Sequence, residues 1–476
     1  MITIRDAMTD PALFGDQFGG ESFEAWRVLL AGFYGLALTE AELPIWESLT
    51  GRQSAPESAH DEFYMAIGRR GGKSQCAALL AVFEACFRDH RDRLAPGEVA
   101  TVLCIAADRK QARAVFRYIS GLLHSNPMLE RLIVRETTET IELANRAAIE
   151  VGTASFRATR GYTFAAIIAD EIAFWRSEDS ANPDFEILNA VRPGLATLNG
   201  PLIALSSPYA RRGALWDAYR RHFGKDGTVL VAQAPSLTMN PSLPARIVEQ
   251  ALERDPVSAS AEYLAQFRDD ISAFISRDML DNNTRAHTMI LPPRGGNAYR
   301  AFVDVAGGGS DEYTMSIAHR EGGRVVIDGV WAEHGNPAEI TSRFARILKE
   351  YRINRVTGDR YAADWPKQEY LRHGIRMESS PLTRSDLYVE FVPLLQVGAI
   401  ELPPDEKALI QFSLLERRTG RSGKDTIDHG PQGHDDRANA IAGAAWLTSN
   451  RHEWPEVHFQ LHGPVRSQIE GHPVGH

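Results

Sequence analysis

Apolar residues along this chain fall into short continuous runs separated by longer stretches with helical spacing, a pattern that predicts strands joined by helices. Phe23, Trp26, Leu29, Leu30 and Phe33 share one helix face within a helical lead-in over residues 1–60, and core packing is the plain reading of that aromatic stripe. From Tyr64 an apolar strand breaks into a glycine turn and reopens as a helix rich in alanine and leucine. Val99–Ala106 predicts a buried strand, Arg109–Leu123 a helix, and Thr140–Leu143 and Ile149–Gly152 two short strands. Apolar runs from Thr163, Pro201 and Val229 add three more strands, followed by helices at about Ser242–Arg254 and Val257–Phe267. Helices of this length between strands imply a parallel α/β sheet.

A second unit opens at Tyr299. Strands Tyr313–His319 and Arg324–Val330 complete an antiparallel meander, a helix at Pro337–Tyr351 leads to a short strand ending at Asp359, and an alanine-rich helix opens at Asp435-Asp436. The stretch from Asp269 to Asn297 has the composition of a connector, and the tail from Arg451 is rich in histidine, proline and glycine. The predicted division is therefore a lead-in over 1–60, a first α/β domain over 61–268, a connector over 269–297, a second domain over 298–450 and a flexible tail over 451–476.

Composition narrows the class. A chain of 476 residues is too long for one core, and 43% hydrophobic with 24% charged residues describes a globular protein. The only cysteines are Cys76, Cys86 and Cys104, all in apolar surroundings, which points to buried thiols in a reducing compartment rather than a disulfide or zinc set. Asp6 and Asp10 interrupt the N-terminus, no later run approaches a membrane span, and neither export nor a membrane partner is expected. A net charge of −10 argues against a wholly basic nucleic-acid binder and leaves room for local basic grooves.

The glycine turn carries the first chemistry. Gly68-Arg69-Arg70-Gly71-Gly72-Lys73-Ser74 between a strand and a helix gathers backbone N–H groups at the positive end of a helix dipole, which suits a phosphate. Lys73 is placed to reach the β- and γ-phosphates of ATP, and Ser74 to hold Mg2+. Ile67 stands where a P-loop has its first glycine, and Gly68 comes one position late. About a hundred residues on, an apolar strand ends in Asp170-Glu171, a Walker B arrangement in which Asp170 binds magnesium and Glu171 polarises the attacking water. The strand from Pro201 ends in Ser206 and Ser207, candidates for sensing the γ-phosphate or for capping the next helix.

In the second unit Asp304 interrupts an apolar strand, where a carboxylate is costly without a cation or partner. Asp359 ends a strand and Asp435-Asp436 begin a helix, with Asp311 a secondary candidate. These are the positions from which an RNase H-like fold assembles a carboxylate site for two divalent ions, Mg2+ or Mn2+. Arg417, Arg418, Arg421 and Lys424 lie where they would grip DNA phosphates beside it.

The ordered set resembles the large terminase subunit of tailed bacteriophages over roughly Glu21 to Leu447. The resemblance implies a P-loop ATPase domain with a parallel sheet flanked by helices, joined to an RNase H-like nuclease domain with a mixed sheet. It makes Arg69, four residues before Lys73, a catalytic arginine and Arg160 a candidate finger acting on a neighbouring subunit. It makes Asp304, Asp359 and Asp436 metal ligands, with Asp435 beside them. It further implies double-stranded DNA, a portal protein and a small terminase subunit as partners. A homo-oligomeric ring on the portal, monomeric in isolation, and action in the host cell cytoplasm at the procapsid portal vertex complete the expectation. The alternatives are a cellular helicase-like translocase with a nuclease domain, and a catalytically inactive prophage remnant that binds DNA or portal. A single P-loop core weighs against the first, and intact Lys73, Glu171, Asp304 and Asp359 against the second.

Overall fold

The structure, a computed structural model, describes residues 2–154, 161–175, 183–305, 312–359, 364–419, 425–430 and 433–449. Its first sheet holds β1 (Glu62–Ile67), β2 (Ala100–Ala106), β3 (Ile133–Glu136), β4 (Thr140–Leu143), β5 (Ala147–Thr153), β6 (Thr163–Asp170), β7 (Leu202–Ser206) and β8 (Val229–Ala234). Their spatial order is β3-β4-β5-β2-β6-β7-β1-β8. The strands from β5 to β8 are parallel, and β4 and β3 extend the sheet by antiparallel pairing.

Both faces of this sheet are covered. Phe63 and Met65 of β1 join a core with Trp26, Leu79, Phe83 and Ile119, whereas Tyr64 and Ala66 point to the opposite core with Ile167, Trp175 and Leu215. The period of two in β1 thus distributes an uninterrupted apolar run between two helical layers, which is why residues Phe63 to Ile67 carry no polar face. Of the aromatic stripe of the lead-in, Trp26, Leu29, Leu30 and Phe33 are buried as expected on the helix Glu24–Phe33, whereas Phe23 precedes the helix and is half-buried.

The second sheet has order β14-β13-β10-β11-β12-β15, built from β10 (Arg300–Asp304), β11 (Tyr313–Glu321), β12 (Arg324–Glu333), β13 (Arg355–Gly358), β14 (Arg376–Ser379) and β15 (Ile400–Glu401). The meander β10-β11-β12 is antiparallel, and β13, β14 and β15 join in parallel, so the sheet is mixed. The helix Asp436–Thr448 packs on it through alanines and through Gly443, where an added Cβ would lie 2.2 Å from the Phe302 ring. Only a residue without a side chain lets the helix come this close.

A small sheet, β17-β16-β9, sits beside this unit, with β9 at Ile271–Ala273, β16 at Leu415–Thr419 and β17 at Asp425–His429. The stretch read as a connector therefore carries structure of its own. Its β9 pairs with β16, and Ile275 and Leu280 enter the same core as Phe302, Phe391 and Phe412.

Candidate functional site

The first site lies at the carboxyl ends of β1, β6 and β7, where doubly wound sheets bind ligands. Gly72, with φ +89, turns the chain into the helix Lys73–Cys86, whose first N–H groups have no acceptor within the helix. Trp26 fixes this turn from the lead-in by donating its indole N–H to the Gly71 carbonyl at 2.8 Å. Ser236 Oγ donates to the Arg69 carbonyl at 2.6 Å and Asn240 Nδ2 to the Arg70 carbonyl at 2.9 Å. With these carbonyls tied on the outside, the loop is held in shape before any ligand arrives. Gly68 explains the shifted glycine: a Cβ there would lie 2.4 Å from Ser236 Oγ and 2.7 Å from the Tyr263 carbonyl oxygen.

Lys73 is buried, and its ammonium donates to the Ile67 carbonyl at 3.1 Å and to Ser207 Oγ at 2.8 Å. Glu171 Oε1 stands 3.6 Å away. Glu171 itself has φ +51, an unusual conformation for this residue type, and its Oε2 accepts from Ser206 Oγ at 2.9 Å and from the Ser207 N–H at 3.2 Å. Asp170 is 3% exposed, its carbonyl accepts from Trp175 Nε1, and its Oδ1 has no hydrogen-bond partner. Burial and then the Glu171 charge push the Asp170 carboxyl up, against the attraction of Lys73. A buried orphan carboxylate oxygen beside a lysine is a fitting donor for a hard cation. Lys73, Asp170, Glu171, Ser206 and Ser207 are thus brought together as one network. Ser74 lies in the first turn of the same helix.

The two arginines of the loop are exposed. Arg69 pairs with Glu262 at 3.1 Å on the surface, and Arg70 is exposed with φ +65. Arg160 lies outside the described residues.

The second site lies at the ends of β10 and β13. Val303 pairs with Gly358 in the parallel register, so Asp304, the last residue of β10, and Asp359, just past the end of β13, follow paired positions on neighbouring strands. Asp304 Oδ2 accepts from Asn439 Nδ2 at 2.7 Å. Asp436, in the first turn of the same helix as Asn439, accepts the Glu312 N–H at 3.1 Å. Arg437 anchors that turn by pairing with Glu312 at 2.7 Å and Asp405 at 2.9 Å. Burial pushes the Asp304 carboxyl up to about 7, opposed by Arg384 and the Asn439 hydrogen bond, with Asp436 and Asp435 adding to the rise.

Arg384 completes the cluster, donating to Asp435 Oδ1 at 2.7 Å and to Asp359 Oδ2 at 3.5 Å. No three acidic, histidine or cysteine side chains among the described residues stand close enough to share an ion as they are. The donor set is nonetheless carboxylate oxygen throughout, the chemistry that suits Mg2+ or Mn2+. Asp311 lies outside the described residues.

The basic residues expected beside this site divide. Arg417 pairs with Asp425, Arg418 donates to Glu416 at 3.1 Å and to the His429 carbonyl at 3.1 Å, and Arg421 and Lys424 lie outside the described residues. Glu416 is fully buried and also accepts from Tyr209 at 2.6 Å and from Arg212. Tyr209 follows Ser206-Ser207-Pro208, so the chain that touches Lys73 and Glu171 reaches the small sheet three residues later.

Sequence reasoning missed Arg384, Tyr388 and the second role of Trp26. Asn439 had a legible signal, since it falls one helical turn after Asp436 on the same face.

Together the sheets define a chain of two α/β units, the first with a mostly parallel eight-stranded sheet and the second with a mixed six-stranded sheet. The chain is similar to the solved HK97 bacteriophage large terminase, at 16% identity over 82% of this chain and 91% of that chain, with a TM-score of 0.36. It is also similar to the large terminase ATPase domain of a Thermus phage, at 18% identity over 50% of this chain and 97% of that chain, with a TM-score of 0.36. A third similar structure is the large terminase nuclease of thermophilic phage G20c with bound magnesium, at 19% identity over 37% of this chain and 100% of that chain, with a TM-score of 0.33. No family model and no curated protein matches the chain. Among the described residues no helix is long and apolar enough to cross a membrane.

Proposed function

We propose that this chain is the large subunit of a phage DNA-packaging motor: an ATPase that drives double-stranded DNA into a procapsid, fused to a metal-dependent endonuclease that cuts concatemeric genomes. The observation that carries the reading is the pairing, in one chain, of the Lys73, Asp170, Glu171 network with the acidic cluster of Asp304, Asp359, Asp435 and Asp436.

In the motor unit, the N–H groups of the loop and the Lys73 ammonium cradle the phosphates of ATP. Bound magnesium supplies positive charge at the β- and γ-phosphates, and Asp170 and Ser74 are the residues that would hold it. Glu171 orients the attacking water. Ser206 and Ser207 contact Glu171 and Lys73 respectively, so a change at either is felt by the strand end that carries both serines. Arg160 is assigned to a neighbouring subunit's nucleotide in a ring on the portal protein, with the small terminase subunit delivering DNA. The setting is the host cytoplasm and the procapsid portal vertex.

In the nuclease unit, Asp304, Asp359 and Asp436 are the residues that would hold a divalent ion, which when bound supplies Lewis-acid charge at a phosphodiester. Arg437 and Glu312 fix the helix start, and Asn439 fixes the Asp304 carboxylate. Incubation of purified protein with plasmid, ATP and magnesium or manganese tests the proposal, with phosphate release and DNA cleavage scored separately. Both activities are expected, and a protein with neither contradicts the reading.

A further inference from the structure

The first sheet carries opposite charges on its two faces at the same strands. The helix Arg109–Ser125 packs on one face through Val115, Ile119 and Leu122. Outward it presents Arg109, Lys110, Arg113 and Arg117, all exposed, with the three arginines at i, i+4 and i+8. The helix contains no acidic residue, and among the described residues no ion pair reaches any of the four. Arg113 Nε donates only to a backbone group, the Arg109 carbonyl, at 3.3 Å. Like charges one turn apart weaken a helix, so in a chain of net charge −10 this stripe contributes nothing to its own fold.

The other face of the same strands is acidic. Elsewhere that face is covered by the helices Pro183–Val191 and Gly213–His222, through Leu188 and Leu215. At β4, β5 and the start of β2 it opens into a cavity of about 370 Å3 whose lining includes Glu98, Glu142, Glu150, Thr101, Thr140 and Tyr162. Glu142 stands opposite Ala148 in the β4–β5 register and Glu150 lies two residues on, so these carboxylates are diagonal neighbours about 7–8 Å apart. Arg135 stands 3.5 Å from Glu142 as a largely exposed pair, which offsets little of this charge. Burial pushes the Glu150 carboxyl up, with the Tyr162 hydrogen bond opposing and Glu142 adding to the rise. The hollow is short of positive charge.

We propose that the hollow receives the arginine stripe of a second copy of this chain. Arginines one helical turn apart are separated by about 6 Å along the axis, close to the diagonal spacing of Glu142 and Glu150. DNA phosphates would satisfy the stripe but leave the acidic hollow without a partner. Because stripe and hollow lie on opposite faces of one sheet, the contact is heterologous and repeats front to back, which closes a ring or extends a filament. Gly161 and Tyr162, which line the hollow, directly follow Arg160 in sequence, and the helix Lys73–Cys86 shares a core with the helix Arg109–Ser125. The same contact therefore sets the copy that carries Arg160 against the face of its neighbour that carries the glycine loop. The proposal rests on the motor reading above and names the surfaces through which its copies meet.

The test is sedimentation velocity of the full chain over a range of concentrations at low salt. The wild-type protein should associate as concentration rises and come apart as salt is added. Arg113→Glu with Arg117→Glu, or Glu142→Arg with Glu150→Arg, each checked for folding by near-ultraviolet circular dichroism, should weaken association about tenfold or more, because like charges then face each other. Mixing the two variants should restore it, since stripes and hollows of opposite charge can then alternate. Should the second variant fail to fold, Glu142→Arg alone takes its place. A wild-type chain that stays monomeric throughout, a folded variant that associates like the wild type, or a mixture that stays apart overturns the proposal. Loss of DNA binding in the stripe variant with unchanged association assigns the stripe to DNA instead. If association is absent while ATP hydrolysis and plasmid cleavage are present, the docking fails and the motor reading stands; absence of all three overturns both.

Discussion

The Tyr209 hydroxyl donates to the buried carboxylate of Glu416 at 2.6 Å, joining residues that lie 207 positions apart. Tyr209 belongs to the segment after β7 that ends the network around Lys73 and Glu171, and Glu416 belongs to β16 beside the core of the second unit. Arg212 and Arg418 share the same carboxylate, so one buried acid gathers two cations and a phenol at the meeting of the two units.

Glu416→Ala therefore leaves two arginines without their common partner. Breaking a buried pair costs about 3–5 kcal/mol, and the partial exposure of Arg212 and Arg418 places this case at about the lower bound. In chemical denaturation the variant should lose that stability and show separate transitions for the two units. A single transition at an unchanged midpoint would show that this contact does not bind the units.

Gly68→Ala tests the shape of the glycine loop before Lys73. The added methyl meets the side chain and backbone nitrogen of Ser236 and the Tyr263 carbonyl, two of them main-chain atoms that cannot swing aside. Overpacking of this kind costs about 1–3 kcal/mol. Nucleotide affinity, measured by calorimetry, should fall along with stability. Wild-type affinity in Gly68→Ala would mean the loop rearranges on binding and is not preformed.

What the sequence made legible was local. The loop around Lys73, the strand ending in Asp170-Glu171 and the apolar run around Asp304 each announce themselves within ten residues, because an unusual residue breaks a strong periodic pattern. The order of elements around them followed. Partners distant in sequence were not legible: Arg384 reads as an ordinary charge at a helix start, and nothing near Glu416 names Tyr209. Trp26 was correctly placed in the core, yet its N–H contact with Gly71 depends on a helix docking 45 residues away. Short polar strands were missed for a related reason. β3 is largely exposed and β9 spans only Ile271–Ala273, so neither shows the apolar run that marks a buried strand.

Glu84 gives the fold a pH dependence. It is 1% exposed on the helix that follows the phosphate loop, and burial pushes its carboxyl up to about 7 despite the Tyr34 hydrogen bond at 2.7 Å and the nearby Arg88. Because the folded value lies above the unfolded one, the folded state holds more protons between about pH 4.5 and 7. The Glu84 contribution is thus fully present below that window and lost as pH rises through it, amounting to about 3 kcal/mol at most. Glu84→Gln should flatten this part of the stability profile, and an unchanged slope would assign it to other groups.

The central claim is that one chain carries two separable chemistries, and a crossed pair of variants measures it most directly. Glu171→Gln should bind ATP and lose about 10²- to 10⁴-fold in hydrolysis, while still cutting plasmid. Asp304→Asn should hydrolyse ATP at near the wild-type rate and leave the plasmid intact in magnesium or manganese. Lys73→Ala, which removes the charge proposed to meet the phosphates, should lose ATP binding and keep cleavage. Phosphate release and plasmid cleavage by these proteins, measured side by side, should show each variant losing one activity and keeping the other; an Asp304→Asn protein that still cuts, or a Glu171→Gln protein that turns over ATP at the wild-type rate, would contradict the account.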